Sequence, residues 1–234
     1  MWKLTRCLEF RHAASMDDAA AGYRRIWRLG LGLMGLLVCG CGDDGALDGP
    51  SPDGDAGCGA RSESAAVTTG IATPVPVEGS ACDAVVTAEA EGDGLHVAEC
   101  SRITYATNPP SSGSHYPSWA AFTVFERPVA RGYWVHSIEH GAVAFLYDCD
   151  DCDDEIQAAK ELIAELPEDP RCVGQATPNR ILMTPDPLLD VPWAAAAWGV
   201  TLRARCFEPE VFRAFVSDHY GRAPENLCAA GGTF

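Results

Sequence analysis

The stretch of sequence that decides the fold is Val135-His136-Ser137-Ile138-Glu139-His140-Gly141-Ala142-Val143-Ala144-Phe145-Leu146-Tyr147. Its second half is a continuous apolar run that starts directly after Gly141, which predicts a buried strand. Its first half places His136 and His140 four residues apart, so that a helix or a strand would carry both rings on one side. In either geometry the two rings can share one metal ion.

The segments around this stretch predict a mixture of strands and helices. Apolar residues at helical spacing predict helices over 153–166 and 208–220. Strands are predicted at 84–90 and 95–99, joined as a hairpin through Glu91-Gly92-Asp93-Gly94, and at 122–125, 180–183 and 200–206. Together they indicate an α+β fold: a mixed or mainly antiparallel sheet with two helices on one face, in a disulfide-stabilised single domain.

The N-terminal segment has the features of a bacterial export signal. Three arginines between residues 24 and 28 precede an apolar run at 29–38, which is too short to span a bilayer comfortably. The run ends in Val38-Cys39-Gly40-Cys41, which resembles a lipobox, the motif whose last cysteine is lipidated after cleavage. We therefore expect a signal peptide over 1–40, a lipidated Cys41, and a protein anchored to a bacterial membrane that faces the periplasm or the exterior.

Composition divides the rest of the chain into a linker and a domain. Residues 41–70 are rich in glycine, aspartate, serine and proline and predict a flexible acidic linker. Residues 71–234 are long enough to bury the core of one globular α+β domain. Because a signal peptide begins near its charged region, Met16 is favoured as the initiator and residues 1–15 as a mis-called start.

The charge of the chain argues against nucleic acid as a partner. The sequence has 33 acidic and 17 basic residues, and removal of residues 1–40 leaves 30 acidic against 11 basic residues. Such a surface repels nucleic acid and anionic lipid. The same charge is typical of a solvated envelope protein, so it distinguishes no further function.

The cysteines predict disulfides. The chain has 11 cysteines, and eight remain when Cys7, Cys39 and Cys41 are set aside. An even number of cysteines in an exported chain is typical of a disulfide framework, although the sequence does not determine how they pair. Position along the chain suggests three pairs: Cys82 with Cys100 across the hairpin, Cys206 with Cys228 around the last helix, and Cys149 with Cys152 by proximity.

Cys149-Asp150-Asp151-Cys152 is open to two other interpretations, a redox pair or half of a zinc site. The two aspartates disfavour a reactive thiolate, and no matching second pair completes a four-cysteine zinc site. A structural disulfide is therefore the favoured interpretation.

Four of the six histidines lie within 45 residues, at His96, His115, His136 and His140. Neutral imidazole is the commonest protein ligand for Zn²⁺ and Cu²⁺, and Glu139 can orient a ring or act as a base. We expect a zinc or copper site formed by His115, His136 and His140, with His96 as the fourth ligand. Glu139 is expected to contact the ligands and not the ion itself. The alternative is that each histidine only hydrogen-bonds within a buried polar network.

Two further functions are consistent with the same residues. The segment His136-Ser137-Ile138-Glu139-His140 matches the H-x-x-E-H motif of inverted zinc proteases, which would make the protein a metal-dependent hydrolase. Gly132 and Gly141 leave room for at most two helical turns there, and no downstream helix offers an acidic third ligand. The other alternative is a non-enzymatic, disulfide-stapled interaction module that meets another envelope protein.

Several segments together resemble one bacterial family, the domain of unknown function 3105. The resemblance is carried by Leu95-His96-Val97, by Tyr105 with Asn108-Pro109-Pro110-Ser111-Ser112-Gly113-Ser114-His115-Tyr116, by Val135 to Val143 and by Ala197-Trp198-Gly199. It covers roughly residues 80–227 and implies an exported, often membrane-anchored domain. The family supplies no established activity, but all four clustered histidines lie within the segments that resemble it. The many cysteines depart from its pattern.

The lipobox makes a direct prediction about localisation. Replacement of Cys41 by alanine removes the only thiol available for lipidation at the predicted cleavage site, so the protein should leave the membrane fraction. Fractionation of cells that express the wild type or Cys41→Ala, followed by immunoblotting, measures this. An unchanged membrane fraction would contradict the lipid anchor.

Overall fold

The structure is a computed structural model and describes Cys58, Glu63–Ser64 and residues 72–234. The predicted signal peptide, Cys41 and most of the predicted linker lie outside the described residues. In chain order the elements are β1 (Glu63–Ser64), β2 (Val75–Pro76), β3 (Val85–Ala88), β4 (Ile103–Thr104), α1 (Arg131–Glu139), β5 (Val143–Tyr147), α2 (Asp153–Glu165), β6 (Ile181–Pro185), β7 (Trp193–Ala197), β8 (Val200–Ala204) and α3 (Pro209–His219). None of the described helices is long and apolar enough to cross a membrane.

Six of the strands form one sheet, in the order β2-β3-β8-β7-β5-β6. Neighbouring strands are antiparallel, except that β5 and β6 run parallel and are connected through α2. β7 and β8 form a hairpin whose two-residue turn, Trp198-Gly199, places Gly199 at a φ of 75°. β1 and β4 form a separate parallel pair. The predicted α+β fold with a mixed, mainly antiparallel sheet is confirmed.

Both faces of the sheet are covered, because side chains alternate along each strand. In β5, Val143 and Phe145 pack in the same apolar cluster as α2 and α3, whereas Ala144 and Leu146 pack in the cluster that contains α1. The prediction that two helices pack on one face is confirmed. Helix α1, which covers the opposite face, is a third helix that the sequence did not predict.

The predicted hairpin strand at 95–99 is wrong. Only His96 pairs in this segment, through a single bridge to His115, while β3 pairs with β2 and β8. The segment at Gly92 packs closely against the backbone of Gly113 instead. The two backbones are so close that a Cβ added to Gly92 would lie 2.5 Å from the Cα of Gly113. The chain therefore continues along loop 112–115 instead of turning back along β3.

Two other strand assignments differ from the sequence prediction. The predicted strand at 122–125 is reduced to one bridge, between Val124 and Met183. Strand β7 was not predicted, because four of its five residues are alanine and all five are buried, which leaves no alternation to recognise.

All eight cysteines that follow Cys41 form disulfides, as predicted. The pairs are Cys58–Cys100, Cys82–Cys206, Cys149–Cys152 and Cys172–Cys228. Four disulfides in one domain are typical of an oxidising, exported environment. The Cys58–Cys100 bond also attaches part of the predicted linker covalently to the domain.

The Cys149–Cys152 pair agrees with the prediction, but the pairs Cys82–Cys100 and Cys206–Cys228 are wrong. Cys82 lies just before β3, which runs beside β8, and Arg205 N–H donates to the carbonyl of Cys82 at 2.9 Å. Cys82 and Cys206 are therefore neighbours across the sheet. Without the hairpin strand at 95–99, nothing holds Cys100 beside Cys82.

Two buried ion pairs hold helix α1 at its ends. Arg131, at the first position of the helix, lies 2.9 Å from Asp186. Beyond the other end, Arg180 donates from Nη1 to the carbonyl of His140 at 2.6 Å and pairs through Nη2 with Asp169 at 2.7 Å. Since α1 has no side-chain N-cap and no acidic residue in its first turn, these contacts fix its position.

Asp169 is ionised in the folded protein. Burial acts to raise its pKa, but hydrogen bonds from the Arg171 N–H, the Tyr220 hydroxyl and Arg180 outweigh burial and hold the pKa below its ordinary value of 3.8. The stability that this shift contributes is fully present above pH 3.8 and is lost as the pH falls through the lower, folded pKa.

Replacement of Asp169 by asparagine should lower the free energy of unfolding by about 3–5 kcal/mol, because it leaves the Arg180 guanidinium buried without a counter-charge. Urea unfolding of both proteins at pH 7 measures this difference, which should shrink as the pH falls below 4. The control is Asp190→Asn, since Asp190 pairs with Arg203 but is 57% exposed. The control should lose less than about 1 kcal/mol. Equal losses in the two variants would contradict the assignment of Arg180–Asp169 as the pair that holds α1.

Candidate metal centre

The four clustered histidine rings meet in one place, with His136 at the centre. Its ring centroid lies 4.7 Å from that of His96, 4.6 Å from that of His115 and 4.6 Å from that of His140. His115, His136 and His140 are buried, whereas His96 is exposed. The fold therefore brings together residues that come from two loops, a helix and the end of that helix.

Helix α1 supplies three of the polar groups on one face. His136 and Glu139 are three residues apart on the helix, and His140 is its C-terminal cap residue. All nine residues of the helix are buried. The amide N–H of His140 bonds to the carbonyl of His136, so the His140 ring stays next to the other two groups.

Two loops supply the remaining histidines and are tied to each other. Val97 N–H donates to the carbonyl of His115 at 2.8 Å, and His115 N–H donates to the carbonyl of Leu95 at 2.9 Å. This bridge carries His96 beside His115. Ser114 also donates from Oγ to Asp93 at 3.0 Å, which fastens the loops together on their exposed side.

The hydrogen bonds of His115 and His136 fix which ring nitrogen carries the proton. Nδ1 of His115 lies 2.9 Å from the carbonyl of Gly113, and Nδ1 of His136 lies 2.7 Å from the carbonyl of Tyr116. Because a carbonyl oxygen can only accept, Nδ1 is the donor in both rings. Each Nε2 therefore keeps a free lone pair, which is the arrangement that metal-binding histidines show.

The first ligand group consists of His96, His115, His136 and Glu139. One ligand atom from each lies within 4.8 Å of all the others. Nε2 of His115 is 3.0 Å from Oε2 of Glu139, yet it has no hydrogen-bond partner, as expected when the proton is on Nδ1. A buried nitrogen with an unused lone pair thus faces a carboxylate oxygen.

The second ligand group consists of His136, His140 and Glu225, whose ligand atoms also lie within 4.8 Å of one another. Nε2 of His140 is 3.0 Å from Oε2 of Glu225. Glu225 is brought there by the backbone, because its N–H donates to the carbonyl of Glu139 at 3.2 Å and Leu227 N–H donates to that of His140 at 2.9 Å. Nothing in the sequence near Glu225 indicates this role.

Burial keeps the histidines neutral at pH 7. It lowers the pKa of His115, and it lowers the pKa values of His136 and His140 to about 4. Burial, followed by the negative charge of Glu225, raises the pKa of Glu139 to about 7. Neutral imidazoles are the form that binds a metal ion, so the cluster needs to lose no proton from its buried histidines to accept one.

The arrangement differs in detail from the predicted ligand set. The predicted site grouped His115, His136 and His140 with His96 as the fourth ligand, whereas the first ligand group omits His140. Glu139, predicted to contact the ligands and not the ion, has an oxygen among the ligand atoms of that group. The fifth histidine of the domain, His219, lies on α3 with its ring centroid 4.7 Å from that of Phe215.

Comparison with known proteins identifies the family. No curated protein and no solved structure matches the chain significantly. The family model described as "Protein of unknown function (DUF3105)" matches residues 96–230, which is more than half of the chain and includes every member of both ligand groups. The chain therefore belongs to the DUF3105 family, as the resemblance of its histidine segments indicated.

Proposed function

We propose that this protein is an exported, lipid-anchored envelope protein that binds a zinc or copper ion through His96, His115, His136 and Glu139. The observation that carries the proposal is the convergence of four ligand atoms within 4.8 Å, from two loops and one helix. Convergence is the property that a metal site requires and that the spacing of histidines along a chain does not guarantee.

The fit of the group to a tetrahedral ion is close. Zn²⁺ binds imidazole nitrogens and carboxylate oxygens at about 2.0–2.2 Å, so its ligands lie about 3.4 Å from one another. The atoms of the first ligand group are within 4.8 Å, and one pair is already at 3.0 Å. His96 is the exposed member of the group, so its side chain can rotate towards an ion more freely than the three buried side chains.

The hydrogen bonding around the rings supports the same function. A structural role for a buried histidine normally uses both ring nitrogens, since an unpaired buried polar atom costs about 1–3 kcal/mol. Nδ1 of His115 is tied to a backbone carbonyl, so Nε2 of the same ring has no partner whenever Glu139, 3.0 Å away, is ionised. A metal ion at the centre of the group would satisfy this nitrogen.

The envelope location rests on separate observations. Four disulfides support export to an oxidising compartment. The lipobox supports attachment through Cys41. The domain would then lie outside the membrane to which it is anchored. His96 is exposed, so another envelope protein could contact the metal site there.

Zinc titration of the metal-stripped protein tests the proposal. The wild type should bind one Zn²⁺ in competition with a chromophoric chelator, and His96→Ala should bind it at least roughly 10–100-fold more weakly, which is the cost of losing even an outer partner of a ligand. His96 is exposed, so its replacement should leave the fold intact, as circular dichroism can check.

The matched control is His219→Ala, because His219 lies on α3 and packs against Phe215 outside both ligand groups. Its affinity for Zn²⁺ should equal that of the wild type. If neither Zn²⁺ nor Cu²⁺ binds to the wild type, the metal function is wrong and the histidine cluster belongs to an interaction module.

A second candidate function, metal-dependent hydrolysis, is favoured by the state of Glu139. Its carboxyl lies beside the histidines, and its pKa of about 7 allows it to exchange a proton at neutral pH. If the three histidines hold the ion, Glu139 is placed to take a proton from water bound to that ion.

Hydrolysis of p-nitrophenyl acetate by the zinc-loaded protein distinguishes the two functions. A hydrolase should exceed a Zn²⁺ blank, and Glu139→Gln should lose roughly 10²–10⁴-fold in rate while it still holds zinc at saturating concentration. If Glu139→Gln instead loses zinc affinity, Glu139 is a ligand. A rate no higher than the blank would leave metal binding without catalysis.

A further inference from the structure

The end of helix α1 carries a histidine that the first ligand group does not use. His140 is 98% buried, and its Nδ1 has no hydrogen-bond partner. Its Nε2 faces Glu225 at 3.0 Å. An imidazole and a carboxylate, two groups that can bind a cation, thus lie side by side at the end of the helix.

Several contacts hold Glu225 in that place. Its N–H bonds to the last helical carbonyl, that of Glu139, and Leu227 N–H bonds to the carbonyl of His140. The next residue, Asn226, accepts a hydrogen bond from Arg180 Nη1 at 2.6 Å. The disulfide Cys172–Cys228 then fastens the segment to the loop after α2. The carboxylate is thus delivered to His140 by a rigid backbone segment, although its own side chain is 48% exposed.

We propose that the cluster contains a second cation position, formed by His136, His140 and Glu225, and that a single transition-metal ion exchanges between this position and the first ligand group through His136. This inference rests on the proposed metal-binding function. Two imidazoles, a carboxylate and water form a ligand set that suits Cu²⁺ and Zn²⁺.

The shared histidine makes the two positions mutually exclusive. Nδ1 of His136 donates to the carbonyl of Tyr116 at 2.7 Å, which leaves only Nε2 as a ligand atom. One lone pair cannot bind two ions at once. An ion that moves from one position to the other therefore keeps His136 and exchanges His96, His115 and Glu139 for His140 and Glu225.

Each position has its own solvent-exposed ligand. His96 is exposed at the first position, and Glu225 is 48% exposed at the second. The ring of Trp119 lies 4.7 Å from that of His140 and 5.3 Å from that of His136, so it packs against both histidines of the second position. An ion can therefore be accepted at one exposed ligand and released at the other, which suits transfer of a metal between partners better than permanent storage.

Electron paramagnetic resonance of the full chain loaded with Cu²⁺ tests the proposal. The wild type should show a major copper signal from the first ligand group and a minor one, roughly a tenth of the copper or less, from the second, which fits the affinity loss expected for His96→Ala. The two signals should account together for one ion per chain, and they are distinguishable because three-imidazole and two-imidazole ligand sets differ in g and hyperfine values. Glu225→Ala should retain only the first signal, and His96→Ala should shift the copper to the second. Glu210→Ala, a change at an 86% exposed carboxylate on α3, should leave the wild-type spectrum unchanged.

The outcomes separate this inference from the proposed function. One signal that His96→Ala reduces and Glu225→Ala leaves unchanged would overturn the second position but keep the first. Two ions bound per chain would overturn the exchange through a shared His136. No bound Cu²⁺ in any of the proteins, together with no bound Zn²⁺, would overturn the proposed function itself.

Discussion

The structure depends on the complete burial of a polar helix. Helix α1 carries Arg131, His136 and Glu139, and all nine of its residues are buried. Burial of a charged or polar group is unfavourable unless it finds a partner. Arg131 pairs with Asp186. At the other end of the helix, the carbonyl of His140 accepts a hydrogen bond from Arg180, which pairs with Asp169. The helix is fixed by these partners, since its own sequence supplies no cap.

In the histidine cluster, by contrast, two buried ring nitrogens lack a hydrogen-bond donor, Nε2 of His115 and Nδ1 of His140. Without a metal ion, the proton on Glu139 at neutral pH limits the charge buried beside His115. A bound cation would change this balance, because it would supply positive charge to Glu139 and a partner to Nε2 of His115, and it would release the carboxyl proton. Metal binding at neutral pH should therefore change the protonation state of Glu139 and leave that of the histidines unchanged, because the histidines are neutral already.

The sequence predicted two kinds of element: helices with one buried and one exposed face, and strands whose ends are marked by glycine or polar residues. Helices α2 and α3 each have an apolar and a polar face, and β5 is a plain apolar run between a glycine and a polar turn. Helix α1 and strand β7 are buried on all sides, so they show no periodicity that distinguishes a helix from a strand. The other three disulfides join cysteines that are 42, 124 and 56 positions apart, so they depend on tertiary contacts that pattern alone does not give.

The candidate site divides in the same way. The proximity of the four histidines was predicted because they lie close together in the sequence and within family-like segments. Glu225 could not be predicted, since only the tertiary contacts of 225–228 bring it to His140. Both His96 and Glu225 lie on irregular backbone, and each is followed within a few residues by a disulfide, Cys58–Cys100 and Cys172–Cys228. A loop has fewer backbone hydrogen bonds to fix its position than a strand, so the covalent bonds supply the rigidity that a metal ligand needs where the sheet does not reach.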